Sequence, residues 1–370
     1  MLRDAPEVAH GCFSRGGVMD PASPEAGLVE DLACIARSLA GDAGSAGAPS
    51  VLWSRPDGLV ARLGDVVVKA HAPDTDARDL EARLRVAQSP LLRDVLLPPL
   101  AAPPASGLAA CAGGGAPVEL ACGGLAVRVR GRLVTAWPAG EPVNPEAPDA
   151  VPWEEAATLL ARLHATSLEA AGPIPRARAP GRVARAMTRL RRAGGAPASA
   201  AVEEAFAQLP AWARGAAARG PDAGEDPGRE GRRDALVHGD WHLGQVVRVP
   251  DARPAGAAAP GWRLIDVDDL GAGDPAWDLA RPAAWYAAGL LPPEVWWRFL
   301  SAYRAAGGCA VPADGDPWPA LDIPARALVI QSAALAVVAA EREARPLDED
   351  EVALVDACRR MVHADAVPQV

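Results

Sequence analysis

Residues 236–247 read LVHGDWHLGQVV and residues 263–280 read RLIDVDDLGAGDPAWDLA, two apolar segments that each deliver polar side chains at a turn. Asp240 and Gln245 stand five positions apart, and Asp266 follows Asp240 by 26 residues. Phosphoryl transfer asks for these groups: a carboxylate that orients and deprotonates the attacking hydroxyl, and oxygen ligands that hold a metal against the phosphates. Asp240 fits the first role, and Gln245 and Asp266 fit the second. His238 and His242 flank Asp240. Neither has a metal-ligand spacing, and His238, carried as a candidate catalytic residue beside Asp240, reads as a hydrogen-bonding brace rather than a base.

Composition adds a third group. Of 37 basic residues, 36 are arginine and one, Lys69, is lysine. In a chain so biased against lysine, the position that keeps one is a position where a guanidinium does not serve, because the two cations differ in geometry, hydration and size. Lys69 ends the apolar run VVVK, a strand end from which an ammonium reaches nucleotide phosphates. Glu81, mid-way along the following helix, is its natural partner.

The 370 residues are half hydrophobic, enough for two lobes of ordinary size and a substantial core. The formal charge of −10 argues against a nucleic-acid surface. RLRRA at 189–193 reads as a solvated helix face. No run approaches eighteen uncharged apolar residues, and the opening MLRDAPEVAHGCFSRGG lacks the apolar segment of a secretory signal, so the expectation is a cytoplasmic protein that engages no membrane. The six cysteines, at 12, 34, 111, 122, 309 and 358, have no CxxC or zinc spacing and read as free thiols.

Periodicity organises the rest. Residues 1–24 read as a flexible extension. Residues 25–137 read as an N-lobe: a helix over 25–39, three strands (VLWS, LVARL, VVVKA), a helix over 74–88, and a hairpin (Leu125–Val129, Leu133–Trp137) that completes five antiparallel strands. The proline-rich stretch 138–152 reads as the connection between lobes, and 153–367 as a mainly helical C-lobe. RPDGLV offers one glycine where a phosphate-cradling hairpin would carry several. Backbone groups near Trp137 and Ala139 would meet adenine at the connection, Pro138 having no N–H to offer. Trp296 and Trp297 read as core, and LDEDE at 347–351 as a solvated helix start.

HGDWHLGQ, LIDVDD and GDPAWDLA, with VVVK upstream and LLARLHA between them, resemble the aminoglycoside phosphotransferase family over residues 50–365. The resemblance implies a two-lobed, protein-kinase-like α+β fold with a small antiparallel-sheet N-lobe and a mainly helical C-lobe. It implies ATP and Mg2+ as cofactors, and transfer of the γ-phosphate to a small hydroxylated acceptor. Asp240 matches the family's catalytic aspartate, Asp266 its metal aspartate, and Gln245 the metal-amide position, where the usual motif has asparagine. The HLGQ form is similar to that of maltokinases and related sugar kinases. An amine-bearing, cationic acceptor suits the acidic balance of the chain, and a neutral sugar suits the glutamine. A non-catalytic nucleotide-binding regulator is the rival from another class. A protein kinase is disfavoured, because GDPAWDLA follows Asp266 too closely to leave room for an activation segment.

Overall fold

Short β-branched runs separated by two-residue turns can only fold back on themselves, and in the computed structural model they form a meander. Residues 24–44, 47–55, 58–103, 119–144, 147, 150–195, 197–215, 234–250 and 261–365 are described; the N-terminal extension, the centre of the 214–234 stretch and the 251–260 loop lie outside them. Strands β1 (Ser50–Arg55), β2 (Gly58–Leu63) and β3 (Val66–Ala70) pair antiparallel. After helix α2 (Ala77–Gln88) come β4 (Glu119–Ala121), β5 (Ala126–Val129) and β6 (Arg132–Pro138), giving one sheet in the order β1-β2-β3-β6-β5-β4. The sheet therefore has six strands rather than five. The extra one, β4, is three residues long with two of them exposed, too short to show an alternating pattern.

The pleat decides which side chains reach the cleft. Along β3, Val66, Val68 and Ala70 are buried on one face, and Lys69 points to the other. Helix α1 (Pro24–Gly44) covers the first face with Leu28, Leu32 and Ile35. Helix α2 starts on Asp76, whose side chain accepts from the amides of Arg78 and Asp79, and it joins Leu80 and Leu84 to a core continuous with the C-lobe. Cys34 on α1 is disulfide-bonded, which corrects the reading of six free thiols; among the described cysteines Cys122, Cys309 and Cys358 are free.

The connection after β6 is structured. Strand β7 (Glu141–Pro142) pairs with β9 (Val246–Val249), itself paired with β10 (Gly261–Leu264). Helices α3 (Trp153–Ala165), α4 (Leu168–Ala171), α5 (Ala179–Ala193) and α6 (Pro197–Gln208) lead to a second small sheet, in which β8 (Ala235–Val237) pairs with β11 (Gly271–Gly273). Helices α7 (Ala276–Ala288), α8 (Pro293–Ala305), α9 (Trp318–Arg342) and α10 (Glu349–Asp365) complete the chain. By length and composition α9 could cross a membrane, yet it carries thirteen buried residues and packs against α5, α7 and α10 as a core helix. Trp296 is fully buried and stacks with Tyr286 and Phe299. The LDEDE stretch holds a buried group: Asp348 and Glu351 cap each other's backbone amides, and Arg345 grips Glu351 with two N–H groups.

Leu32 is fully buried between α1 and the sheet. Leu32→Ala should cost about 2–5 kcal/mol of stability, read as a lower urea midpoint at unchanged denaturant slope.

Candidate active site

Two short sheets aim two loops at one cleft. The β9–β10 register places Leu264 opposite Val246, so the Ile265 amide donates to the Gln245 carbonyl (2.9 Å) as the chain leaves β10. The β8–β11 register brings Gly239 beneath Asp269: a Cβ there would lie 2.3 Å from the Asp269 carbonyl oxygen, and the residue's φ is +84°. Only glycine meets both conditions.

From below, Asp278 near the start of α7 fixes the loop. Fully buried, it accepts hydrogen bonds from the backbone amides of His238 (2.6 Å) and Gly239 (2.8 Å) and pairs with His164 (3.0 Å). His164 in turn meets the Tyr303 hydroxyl (2.7 Å). Burial opposes the charge on Asp278, but these donors outweigh it and hold the carboxyl below its usual range. Asp278 thus braces the loop as well as the helix, and Asp274 caps that helix by accepting from the Ala276 amide (2.9 Å).

His238 is fully buried, and its Nε2–H donates to the Ile265 carbonyl (2.8 Å), tying the Asp240 loop to the Asp266 segment. The ring lies within electrostatic reach of Asp266 but is fully buried, with Nε2 committed to the Ile265 carbonyl rather than to Asp240. His242 Nδ1 accepts from the Gly244 amide (3.0 Å). Burial and the nearby Arg281 push the His242 pKa down to about 3.

Above the loop, Lys69 crosses between the lobes. Its ammonium donates to Asp266 (2.7 Å) and pairs with Asp268 (3.0 Å). Burial works against that charge, and the two carboxylates overcome it, raising the lysine pKa above its ordinary value. Asp268 also meets His71 (3.2 Å), whose other nitrogen bonds the Thr135 hydroxyl (2.9 Å). Asp266 sits at φ +63°, a strained conformation for a non-glycine residue of the kind that clusters at functional sites. The Gln245 amide approaches the same carboxylate (3.3 Å).

Two expectations fall away here. Glu81 is exposed on α2 and is not Lys69's partner in this structure; α2 reaches the loop through Arg83 instead, whose Nε–H donates to the Leu270 carbonyl (3.0 Å). The Ala139 N–H, expected to face adenine, donates to the Asp65 carbonyl (2.8 Å). Trp137 is a buried core residue, its indole N–H donating to Thr135 (3.0 Å).

Asp240 is gripped by two arginines that the sequence reading did not select. Arg182 of α5 contacts one carboxylate oxygen while its other amino group bonds Asp269 (2.5 Å), and Arg281 of α7 lies 3.3 Å from the other oxygen. In an arginine-rich chain neither stands out. The position of Arg281, three residues past Asp278 and so one helical turn on, was the available signal.

No protein-family model and no curated protein matches the sequence. Among solved structures, a thermostable mutant of the aminoglycoside phosphotransferase APH(4)-Ia in its apo form is similar over 90% of this chain and 100% of that one, with 14% identity and a TM-score of 0.51. The chain has a protein-kinase-like fold. A choline/ethanolamine kinase family protein from Mesorhizobium loti aligns at 15% identity over 90% of this chain and 95% of its own (TM-score 0.47). A macrolide 2'-phosphotransferase from Brachybacterium faecium aligns at 20% identity over 83% and 91% (TM-score 0.42).

In a kinase-like frame the donor set can be tested against magnesium. Among the described residues no three or more His, Cys, Asp or Glu side chains form a metal cluster of their own. Magnesium needs less, because it takes one or two protein carboxylates and fills its shell with phosphate oxygens and water. Asp266 and Asp268 already share one cation, the Lys69 ammonium, with the Gln245 amide alongside. The residues fit the ion.

Two outcomes follow. Asp278→Ala leaves buried loop amides and His164 without their acceptor and should cost about 3–5 kcal/mol, measured by urea unfolding; a loss below about 1 kcal/mol would remove Asp278 from this bracing role. His242 takes up a proton at about 6.5 when unfolded but only at about 3 when folded. Between those values the unfolded chain binds more protons, so stability falls as the pH is lowered. His242→Gln should flatten the slope of Tm against pH across that window.

Proposed function

We propose that the protein transfers the γ-phosphate of ATP to a hydroxyl of a small molecule. One observation carries this reading: Lys69 from the sheet meets Asp266 in the cleft between the lobes, with Gln245 beside them and Asp240 on the same loop as Gln245. A phosphate-holding cation, oxygen ligands for a metal and a base carboxylate are thereby assembled on rigid elements.

Lys69 exchanges its carboxylate contacts for nucleotide phosphates when ATP binds. Gln245 and Asp266 would hold magnesium, with Asp268 beside them; once bound, the ion neutralises phosphate charge. Asp240 orients the acceptor hydroxyl and takes its proton as the oxygen bonds to the γ-phosphorus and the bond to ADP breaks. The likeness to an aminoglycoside phosphotransferase supports the choice of a small acceptor over a peptide, and so does the nearness of the 271–280 segment to Asp266.

The engagement of both Asp240 oxygens by arginine favours one rival, a nucleotide-binding regulator without turnover. ADP release over an acceptor panel separates the two. Asp240→Asn should lower kcat by about 10²- to 10⁴-fold while ATP still raises Tm as in the wild type. Equal turnover in that variant would overturn the assignment of the base, and ATP-induced stabilisation with no ADP formed from any acceptor would favour the regulator.

A further inference from the structure

The cleft beside Asp240 is lined by Arg182, Trp241, Trp277, Arg281 and Gln331 in addition to Asp240 itself. Asp240 is the single acid in that lining, and both its oxygens already face guanidinium groups. Each carboxylate oxygen keeps a further lone pair, so an acceptor hydroxyl that reaches Asp240 does so beside both guanidinium groups. Neither arginine is held by Asp240 alone. Arg182 is also tethered to Asp269 (2.5 Å), and the Arg281 Nε–H donates to the Trp241 carbonyl (3.4 Å). A guanidinium that turns away from Asp240 thus stays within the cleft, where a ligand oxygen can serve as its acceptor.

Other donors in the same lining lack one. Arg182 Nε is buried without a hydrogen-bond partner, and so is the indole N–H of Trp241, a residue only 3% exposed. The unsatisfied atoms on these two cleft residues are all N–H donors. An incoming oxyanion supplies what they lack, and planar guanidinium groups match carboxylate and phosphate oxygens two at a time. An ammonium group would meet like charge from two sides, opposed by Asp240 within the lining and by Asp269 behind Arg182.

We infer that the acceptor carries an oxyanion, a carboxylate or a phosphate ester, close to the hydroxyl that is phosphorylated, and that Arg182 and Arg281 bind it. This rests on the phosphotransfer reading above. It reverses the cationic acceptor that the acidic composition suggests, because the charge lining the cleft is opposite in sign to the charge of the whole chain.

The test uses the full chain with ATP and magnesium, measuring ADP release with D-gluconate, D-glycerate, glycerol 3-phosphate, glucose, glucosamine and kanamycin. Acceptor binding is followed in parallel by thermal shift in the presence of a non-hydrolysable ATP analogue. Gluconate or glycerate as the better acceptors identify a carboxylate ligand, and glycerol 3-phosphate a phosphate ester. In Arg281→Gln the kcat/KM ratio of the preferred acid to glucose should fall about tenfold or more, and Arg281→Lys should retain part of that ratio. Because Arg281 also touches Asp240, a loss of kcat common to all acceptors cancels in the ratio, which a merely structural role would leave unchanged. Preferential transfer to glucosamine or kanamycin overturns this inference and leaves phosphotransfer standing. Thermal stabilisation by the acids without ADP release from any acceptor sinks phosphotransfer and supports the anion site. An absence of both stabilisation and transfer with the acids overturns the inference.

Discussion

A buried carboxylate is expensive unless the fold surrounds it with donors, and Asp278 shows what that expense secures. Its donors come from α3, through His164, and from the two residues before Asp240. None of them can shift without stranding a charge in the core. The loop that presents Asp240 is thereby fastened to the helix that presents Arg281 and to the helix that carries His164, and Tyr303 extends the link to α8. The cleft's geometry is inherited from one interaction that itself takes no part in chemistry.

Between the lobes the logic is electrostatic. Lys69, Asp266, Asp268 and His71 form a chain from the sheet to the loop after β10. Its carboxylates are held below their usual range, against burial, by the lysine and, for Asp268, by His71 as well. The anions of the site are thus kept ionised in a buried setting, which is the state that a cation or a phosphate-bound metal requires.

How much of this the sequence showed depends on how local each feature is. The strands 59–63 and 66–70 and the helix that begins at Trp153 follow from periodicity, Asp240, Gln245 and Asp266 were singled out by motif spacing, and Lys69 by composition. Non-local pairings were hidden. Strand β7 has only two residues, one of them proline, and exists because β9 offers it an edge. Lys69 chose between Glu81, near in sequence, and Asp266, 197 residues away; closure of the lobes decided for the latter. The arginines on Asp240 were hard to single out for a compositional reason, since a residue that occurs 36 times carries little information at any one place. The same bias that concealed Arg182 and Arg281 exposed Lys69.

That lone lysine also gives the chain an unusual chemical profile. No other side chain bears a primary amine, and this one is largely buried between two carboxylates at the junction of the lobes. Amine-directed acylation has no other internal target, so its rate at Lys69 reports whether the cleft is open. A protease that cleaves only after lysine has a single site in the whole chain, at the end of β3, and would divide the protein into residues 1–69 and 70–370 through the proposed nucleotide site. Resistance to that cut is a direct measure of how tightly the lobes are shut.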